Sequence, residues 1–374
     1  MNPIGFNKNK ATEILEKKNI DVLIASSPEN IFYTSGLPTL PVAKNPILFV
    51  LQNQYPSFTL IRRDGEECLI TWMLYQSASL LSWIEDIRGI GSPKMAMKFI
   101  ENVLTEWGVT DKVIGLEKNM PRYQAEYLRE KLPNATFVNA DDAIIEMRLV
   151  KSAEEIKRIQ KSTKIAEKAI LAMVDITREG VTDEELLMEA RKTIVLEGAE
   201  GWDHLTLGIG ASDPEAPGYV KAVMKKGDLA RYDIGAVWEG YVSDVSRHAA
   251  IGTPIGNELH ENMVQIQEYC VDLIVPGMPA AGVAKDTKKF YKNLDKKISC
   301  FVTGHSIGLQ TEEFHFFSPM ARNKKVRFEE NMVLDVEVWT PFKNFGLLGI
   351  EDTYQVTRSG CKQLSSLEKK IFVV

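Results

Sequence analysis

One stretch near the middle of the chain constrains the fold more than any other. It reads Tyr232-Asp233-Ile234-Gly235-Ala236-Val237-Trp238-Glu239-Gly240-Tyr241-Val242-Ser243-Asp244. Two β-prone runs flank Glu239-Gly240, a pair suited to a tight turn. With those residues as the loop, Trp238 faces Tyr241, Gly235 faces Asp244 and Asp233 faces Ser246. Side chains alternate along a strand, so Asp233 and Asp244 share one face, one diagonal step apart. Diagonal neighbours lie about 7–8 Å apart at the backbone, within reach of a common ion. Gly235 leaves room between them. Two carboxylates aimed at one spot repel unless a cation or a proton separates them. The hairpin alone also reads as a surface ribbon with two solvated aspartates.

Three further segments supply partners for a metal reading. Gly304-His305-Ser306-Ile307-Gly308 sets a histidine between glycines. Asn331-Met332-Val333-Leu334-Asp335-Val336-Glu337-Val338-Trp339 and Gly349-Ile350-Glu351-Asp352-Thr353 are β-prone and carry Glu337 and Glu351. A carboxylate inside an apolar strand is costly unless it is paired or ligates a metal. Four carboxylates and one imidazole suit two hard or borderline divalent ions: manganese, cobalt, iron or zinc. Such a set can hold a bridging hydroxide and make it a nucleophile near neutral pH.

In these motifs the chain resembles the pita-bread metallohydrolases: prolidase, aminopeptidase P, methionine aminopeptidase and the metal-free creatinase. The family's Asp-x-Gly and Gly-Tyr-x-Ser-Asp match the hairpin, and Arg247 matches the basic residue that follows. The Gly-His motif matches residues 304–309, with Ser306 in place of a glycine. The strand ending in Glu matches 332–337, and Ile-Glu-Asp-Thr matches 350–353. The resemblance implies Asp233, Asp244, His305, Glu337 and Glu351 as ligands, with Asp244 and Glu351 bridging both ions. It also implies Glu337 as general base. The implied fold is α+β: an α/β creatinase-like N-terminal domain over residues 1–148, then a pita-bread catalytic domain over 149–374 with a curved, mainly antiparallel sheet.

Local patterns agree with that plan. Segments 21–26, 47–51, 58–62, 68–72 and 113–116 read as strands, and 95–107 and 122–132 as helices. Asn30-Ile31-Phe32-Tyr33-Thr34-Ser35-Gly36 resembles a stretch common in the family's N-terminal domains, and also reads as a helix capped by Gly36. Ser152 and Glu155 form a capping box before a helical run through Ile159, Thr163, Ala166, Ile170 and Met173. Thr182 and Glu185 cap another helix, and two more are expected over 257–274 and 283–294.

Composition excludes several classes. With 374 residues, 44% hydrophobic and 26% charged, the chain suits two globular domains. A net charge of −6 without a basic tract argues against nucleic acid as a partner. No apolar run is long enough to span a membrane. The polar residues 1–18 and four scattered cysteines suggest a cytoplasmic protein with reduced thiols.

The chain also departs from the family's peptidases. They carry a histidine in a Pro-His step upstream of the first ligand, where this chain reads Ser212-Asp213-Pro214-Glu215-Ala216-Pro217-Gly218-Tyr219. They carry another in a His-Glu pair, where this chain has Glu312-Glu313. Those histidines hold the substrate carbonyl and its oxyanion, and an ionised carboxylate repels such charge. His204 and His315 are candidates for the vacated space. His248 is expected to be packed or capped, and His260 to lie on a solvated helix face.

Three functions follow as expectations. One is Xaa-Pro dipeptidase or aminopeptidase P chemistry on small peptides. The second is a same-fold enzyme on another substrate, such as a small zwitterionic amide, as in ectoine hydrolase, or a lyase. There, aromatic walls and Glu312 would suit a cationic group. The third is a non-catalytic binding module, which the retained ligand set disfavours. The resemblance also implies a homodimer.

Overall fold

The computed structural model describes residues 2–38, 56–73, 80–212, 220–253, 256–294, 299–318 and 325–374. The strand expected at 47–51 and most of the segment around Pro214 lie outside them. The chain packs as two units, Met1–Leu149 and Val150–Val374.

The first unit runs α1 (Lys8–Lys17), β1 (Val22–Ala25), α2 (Pro28–Ser35), β2 (Phe58–Arg62), β3 (Glu67–Trp72), β4 (Ile87–Ile90), α3 (Pro93–Glu106), β5 (Val113–Leu116), α4 (Arg122–Lys131), β6 (Thr136–Asn139) and α5 (Asp141–Leu149). Its six described strands form one mixed sheet in the order β4-β3-β2-β1-β5-β6. β1, β2 and β3 pair antiparallel, whereas β5 and β6 join in parallel through helical crossovers. Val22, Ile24, Leu60 and Ile70 bury one face under Met97, Ile100 and Leu104 of α3. α2 ends at Gly36, whose φ of 74° is the left-handed cap conformation. Its Asn30 bonds both Glu117 and Arg148.

The second unit runs α6 (Ala153–Ile176), α7 (Asp183–Leu196), β7 (Gly201–Ile209), β8 (Leu229–Trp238), β9 (Tyr241–Val242), β10 (Val245–Ala250), α8 (Asn257–Asp272), α9 (Ala280–Leu294), β11 (Phe301–Ser306), β12 (Phe314–Phe317), β13 (Val333–Phe342), β14 (Gly346–Thr357), β15 (Gly360–Gln363) and β16 (Ile371–Val373). Ten strands form a curved sheet whose main path is β12-β11-β13-β14-β10-β8-β7, antiparallel throughout. Both capping boxes form: Ser152 with Glu155, and Thr182 with Glu185. Ile159, Ala166, Ile170 and Met173 bury one face of α6, part of it on Tyr232, Ile234 and Ala236 of β8. Ser162 on the same helix donates to the Ala236 carbonyl at 2.7 Å, which fixes the hairpin against α6.

His260 corrects a sequence expectation. It is 3% exposed on α8, in a buried stripe with Met263, Ile266, Gln267 and Cys270. Its polar neighbours in sequence, Glu258 and Glu261, project elsewhere because a helix turns about 100° per residue. The ring packs edge-on against His248 at 6.0 Å.

Candidate metal centre

The hairpin forms around Glu239 and Gly240, both at positive φ (46° and 86°), the backbone that a two-residue turn requires. Trp238 faces Tyr241 and Asp233 faces Ser246. From there one cross-strand row runs through six strands: Thr303, Glu337, Glu351, Ser246, Asp233 and Thr206. Register partners in an antiparallel sheet project from the same face. Glu337 and Glu351 therefore stand directly opposite each other, a like-charge pairing that a cation or a proton must relieve. The next row sets His305 of β11 opposite Asp335 of β13. At the other edge His204 of β7 lies opposite Gly235 of β8.

The side chains converge on a cavity of about 260 Å³. Asp233, Asp244, His305, Glu337 and Glu351 all line it, as do His204 and Glu312. His204 Nε2 lies 3.3 Å from Asp233 Oδ1 and 3.2 Å from Asp244 Oδ1. His305 Nε2 lies 3.2 Å from Glu351 Oε1. Among the described residues, two groups of donors lie close enough to hold a cation each: His204, Asp233 and Asp244, and then Asp244, His305 and Asp335. Asp244 is common to both. His315 stands beside Glu312, with Nε2 3.6 Å from its Oε2 and its ring 6.0 Å from that of His305.

Two charged residues beside the candidate ligands, Arg231 and Asp335, are absent from the sequence-derived set. Arg231 precedes Asp233 by two and shares its face. Its guanidinium binds Asp233 Oδ2 at 2.9 Å and Glu337 Oε1 at 2.6 Å, with a side chain only 3% exposed. Asp335 precedes Glu337 by two, is fully buried, and has no hydrogen-bond partner on either oxygen. In both cases the signal was a charged residue at strand parity with a ligand.

Burial and charge together set the protonation of the site. For Asp244, burial and the Asp233 charge outweigh His204 and push the carboxyl up to about 6. Burial, then Asp244 and Glu337, push Glu351 well above the carboxylate range, and burial with Asp244 does the same to Asp335. Burial also acts on Asp233, but Arg231 and His204 override it and hold that carboxyl low. Burial lowers His305 to about 3, so its ring is neutral and able to ligate. Burial opposes a charge on His204, yet Asp244 and the bonds to Asp203, Asp233 and Asp244 raise it well above its ordinary value. Protons hold apart carboxylates that a metal would otherwise neutralise.

These residues fit divalent cations on physical grounds. Buried polar atoms without hydrogen-bond partners cluster among these residues: both Asp335 oxygens, His305 Nδ1, Ser246 Oγ and Thr206 Oγ1. Buried polar atoms are rarely left so, and an ion would satisfy them.

Surrounding residues fix the backbone of the candidate ligands. Arg247, fully buried, bonds the Asp352 carboxylate at 2.6 Å and the Glu351 carbonyl at 2.9 Å. Glu313 binds Lys151 through Oε2 at 2.7 Å and accepts the Leu309 N–H through Oε1 at 2.8 Å. A Cβ at Gly308 would lie 2.6 Å from that oxygen, so the glycine lets the loop close over Glu313. His248 is capped at both nitrogens, by the Ala230 carbonyl and the Gly349 N–H.

A curved antiparallel sheet under helices, with acidic and imidazole donors on its inner face, defines a pita-bread metallohydrolase. The chain belongs to metallopeptidase family M24, which residues 157–358 match, and residues 8–150 match the creatinase/prolidase N-terminal domain. It is therefore a hydrolase, not a non-catalytic module. It is 26% identical to the Xaa-Pro dipeptidase of Pyrococcus horikoshii, over 97% of both chains. It is also 26% identical to the Xaa-Pro dipeptidase of Lactobacillus helveticus, over 99% of both. Among solved structures it resembles the prolidase of Pyrococcus horikoshii, with a TM-score of 0.78 at 25% identity over 96% of this chain and 98% of that one. The fold is also that of an Xaa-Pro dipeptidase from Bacillus anthracis, with a TM-score of 0.83 at 21% identity over 98% and 100%.

Proposed function

We propose that the chain is a dinuclear-metal hydrolase of a small amide, a dipeptide with proline in second position being the leading substrate. The observation that carries this reading is the acidic cavity where Asp233, Asp244, His305, Glu337 and Glu351 meet. Two divalent ions bound there would polarise the scissile carbonyl and make a water nucleophilic near neutral pH. The protein's own contribution is positioning and proton handling. Arg231 binds Glu337 at 2.6 Å and so orients the carboxylate that would take a proton from the attacking water as general base. His315, whose ring lies 6.0 Å from that of His305, is the histidine left to donate toward a developing oxyanion. Relatives named Xaa-Pro dipeptidase, matched end to end, support the peptide substrate.

One observation favours a second reading within the same fold. Glu312 lines the cavity where the resemblance puts a histidine, and six carboxylates face it with Arg231 close behind. A cavity so charged favours a substrate with a positive group, such as a free amino terminus or a small zwitterionic amide. The enzyme is cytoplasmic and homodimeric in this proposal, with manganese, cobalt, iron or zinc as its metal. No described helix is long and apolar enough to cross a membrane.

The test is remetallation of chelator-treated protein with each metal, then assay on Xaa-Pro dipeptides, longer Xaa-Pro peptides and small zwitterionic amides. Metal stoichiometry near zero under every condition would sink the dinuclear reading. Turnover confined to non-peptide amides would select the second reading.

A further inference from the structure

His204 is held in place by more than its strand. Thr311 donates to Asp203 Oδ2 at 2.5 Å, and the same oxygen lies 3.2 Å from His204 Nδ1. A neutral imidazole carries one N–H, and this carboxylate draws it to Nδ1. The lone pair of Nε2 then points at Asp233 Oδ1 and Asp244 Oδ1, 3.3 and 3.2 Å away. A lone pair facing two carboxylate oxygens is untenable without a proton or a cation between them. Arg231 meanwhile occupies Asp233 Oδ2, which turns Oδ1 toward the imidazole. The space for the ring is built into the sheet. A Cβ at Gly235 would lie 2.4 Å from His204 Cε1 and 2.5 Å from Nδ1. Gly235 thus admits the histidine between the two aspartates.

We infer that His204 is a metal ligand through Nε2, with Asp203 and Thr311 as the outer residues that orient it. Asp335 stands in a similar relation to His305, 3.9 Å from Nδ1, while Nε2 of that ring faces Glu351. Each of the two donor groups sharing Asp244 then contains one imidazole. Nitrogen donors move the preference of such a centre toward cobalt and zinc and away from manganese. An outer carboxylate on the second ring nitrogen fixes the tautomer and makes the ligand more basic.

The inference rests on the metal reading above, and the experiment separates the two. Chelator-treated protein is titrated with Co²⁺, followed by visible absorption and calorimetry, alongside His204→Gln, Asp203→Asn and wild type. Wild type is expected to bind two ions. His204→Gln should weaken one of them at least tenfold and change its absorption band. Asp203→Asn should weaken the same ion by about 10–100-fold, the usual effect of losing an outer carboxylate. In ¹⁵N-histidine-labelled protein with Zn²⁺, one ring resonance missing from His204→Gln should shift at a single nitrogen. Two ions bound by His204→Gln within twofold of wild-type affinity, or a His204 resonance that ignores Zn²⁺, would overturn the ligand assignment and leave the metal reading intact. Wild-type protein that binds no Co²⁺ would overturn both.

Discussion

Under the proposed function, Glu312 is the residue on which substrate choice is expected to turn. It sits at φ 56° on the turn before β12 and lines the cavity beside His315. An ionised carboxylate there opposes an oxyanion and attracts a cation. Glu312→His is expected to raise kcat on an Xaa-Pro dipeptide, read from steady-state kinetics against wild type. Robust wild-type turnover that falls in the variant would show that Glu312 serves peptide cleavage as it stands. Arg247 tests stability at the same scale. Its guanidinium is the ion-pair partner of Asp352, and both side chains are fully buried. Removing one partner of a buried pair strands the other charge, at a cost of about 3–5 kcal/mol. Arg247→Met should show that loss in urea unfolding, and a loss below 1 kcal/mol would contradict the role given to the pair. The five ligand candidates were legible as acidic or imidazole residues at strand parity in apolar runs. Arg231 carried the same parity signal, but a lone basic residue in a strand reads equally well as an edge or a solvated position.

At the scale of elements, the buried rings of β10 and α8 make folding depend on pH. Burial, with His260 and Arg231 nearby, lowers His248 to about 3. Burial and the charge of Arg247 lower His260 to about 4. An unfolded histidine takes its proton near 6.5. Between those values the unfolded chain binds more protons, so stability rises with pH from about 4 to 6.5. His260→Leu removes one such proton, and its Nε2 has no hydrogen-bond partner to lose. The slope of unfolding free energy against pH in that window should fall by up to about 1.4 kcal/mol per pH unit. Urea unfolding at several pH values measures it, and an unchanged slope would place the linkage elsewhere. The helices α3, α4, α6 and α7 were readable from apolar spacing and caps, because those signals are local. The strands β4 and β6, at the two ends of the sheet order, were not, since neither has the buried apolar run that marked the equally short β1 and β5. The face of α8 was misread at His260 because neighbours in sequence are not neighbours on a helix.

For the whole molecule, metal should act as a folding ligand. Free ligand at a hundredfold excess over its dissociation constant stabilises by about 2.7 kcal/mol per site. Cobalt, zinc or manganese should therefore raise Tm, and a chelator should reverse the rise. A Tm indifferent to every one of these metals would contradict the proposal. A homodimer should scatter light as twice the 42.1 kDa of one chain at micromolar concentration. A monomer mass there would refute that part of it.

The sequence by itself determined the α+β plan, the hairpin with its turn, the helix caps and the set of residue types on the cavity wall. The hairpin and the caps follow from spacing along the chain, with a period of two in strands and fixed offsets in turns and caps, whereas the plan and the residue set rest on the resemblance of these motifs to the family. Tertiary structure decided the rest. Register across six strands put Thr303, Glu337, Glu351, Ser246, Asp233 and Thr206 in one row. A register shift in β7 set His204 opposite Gly235, and the missing Cβ let its ring reach Asp233 and Asp244. Residues tens of positions apart meet only through pairing between strands, and no spacing along the chain encodes which strands will pair.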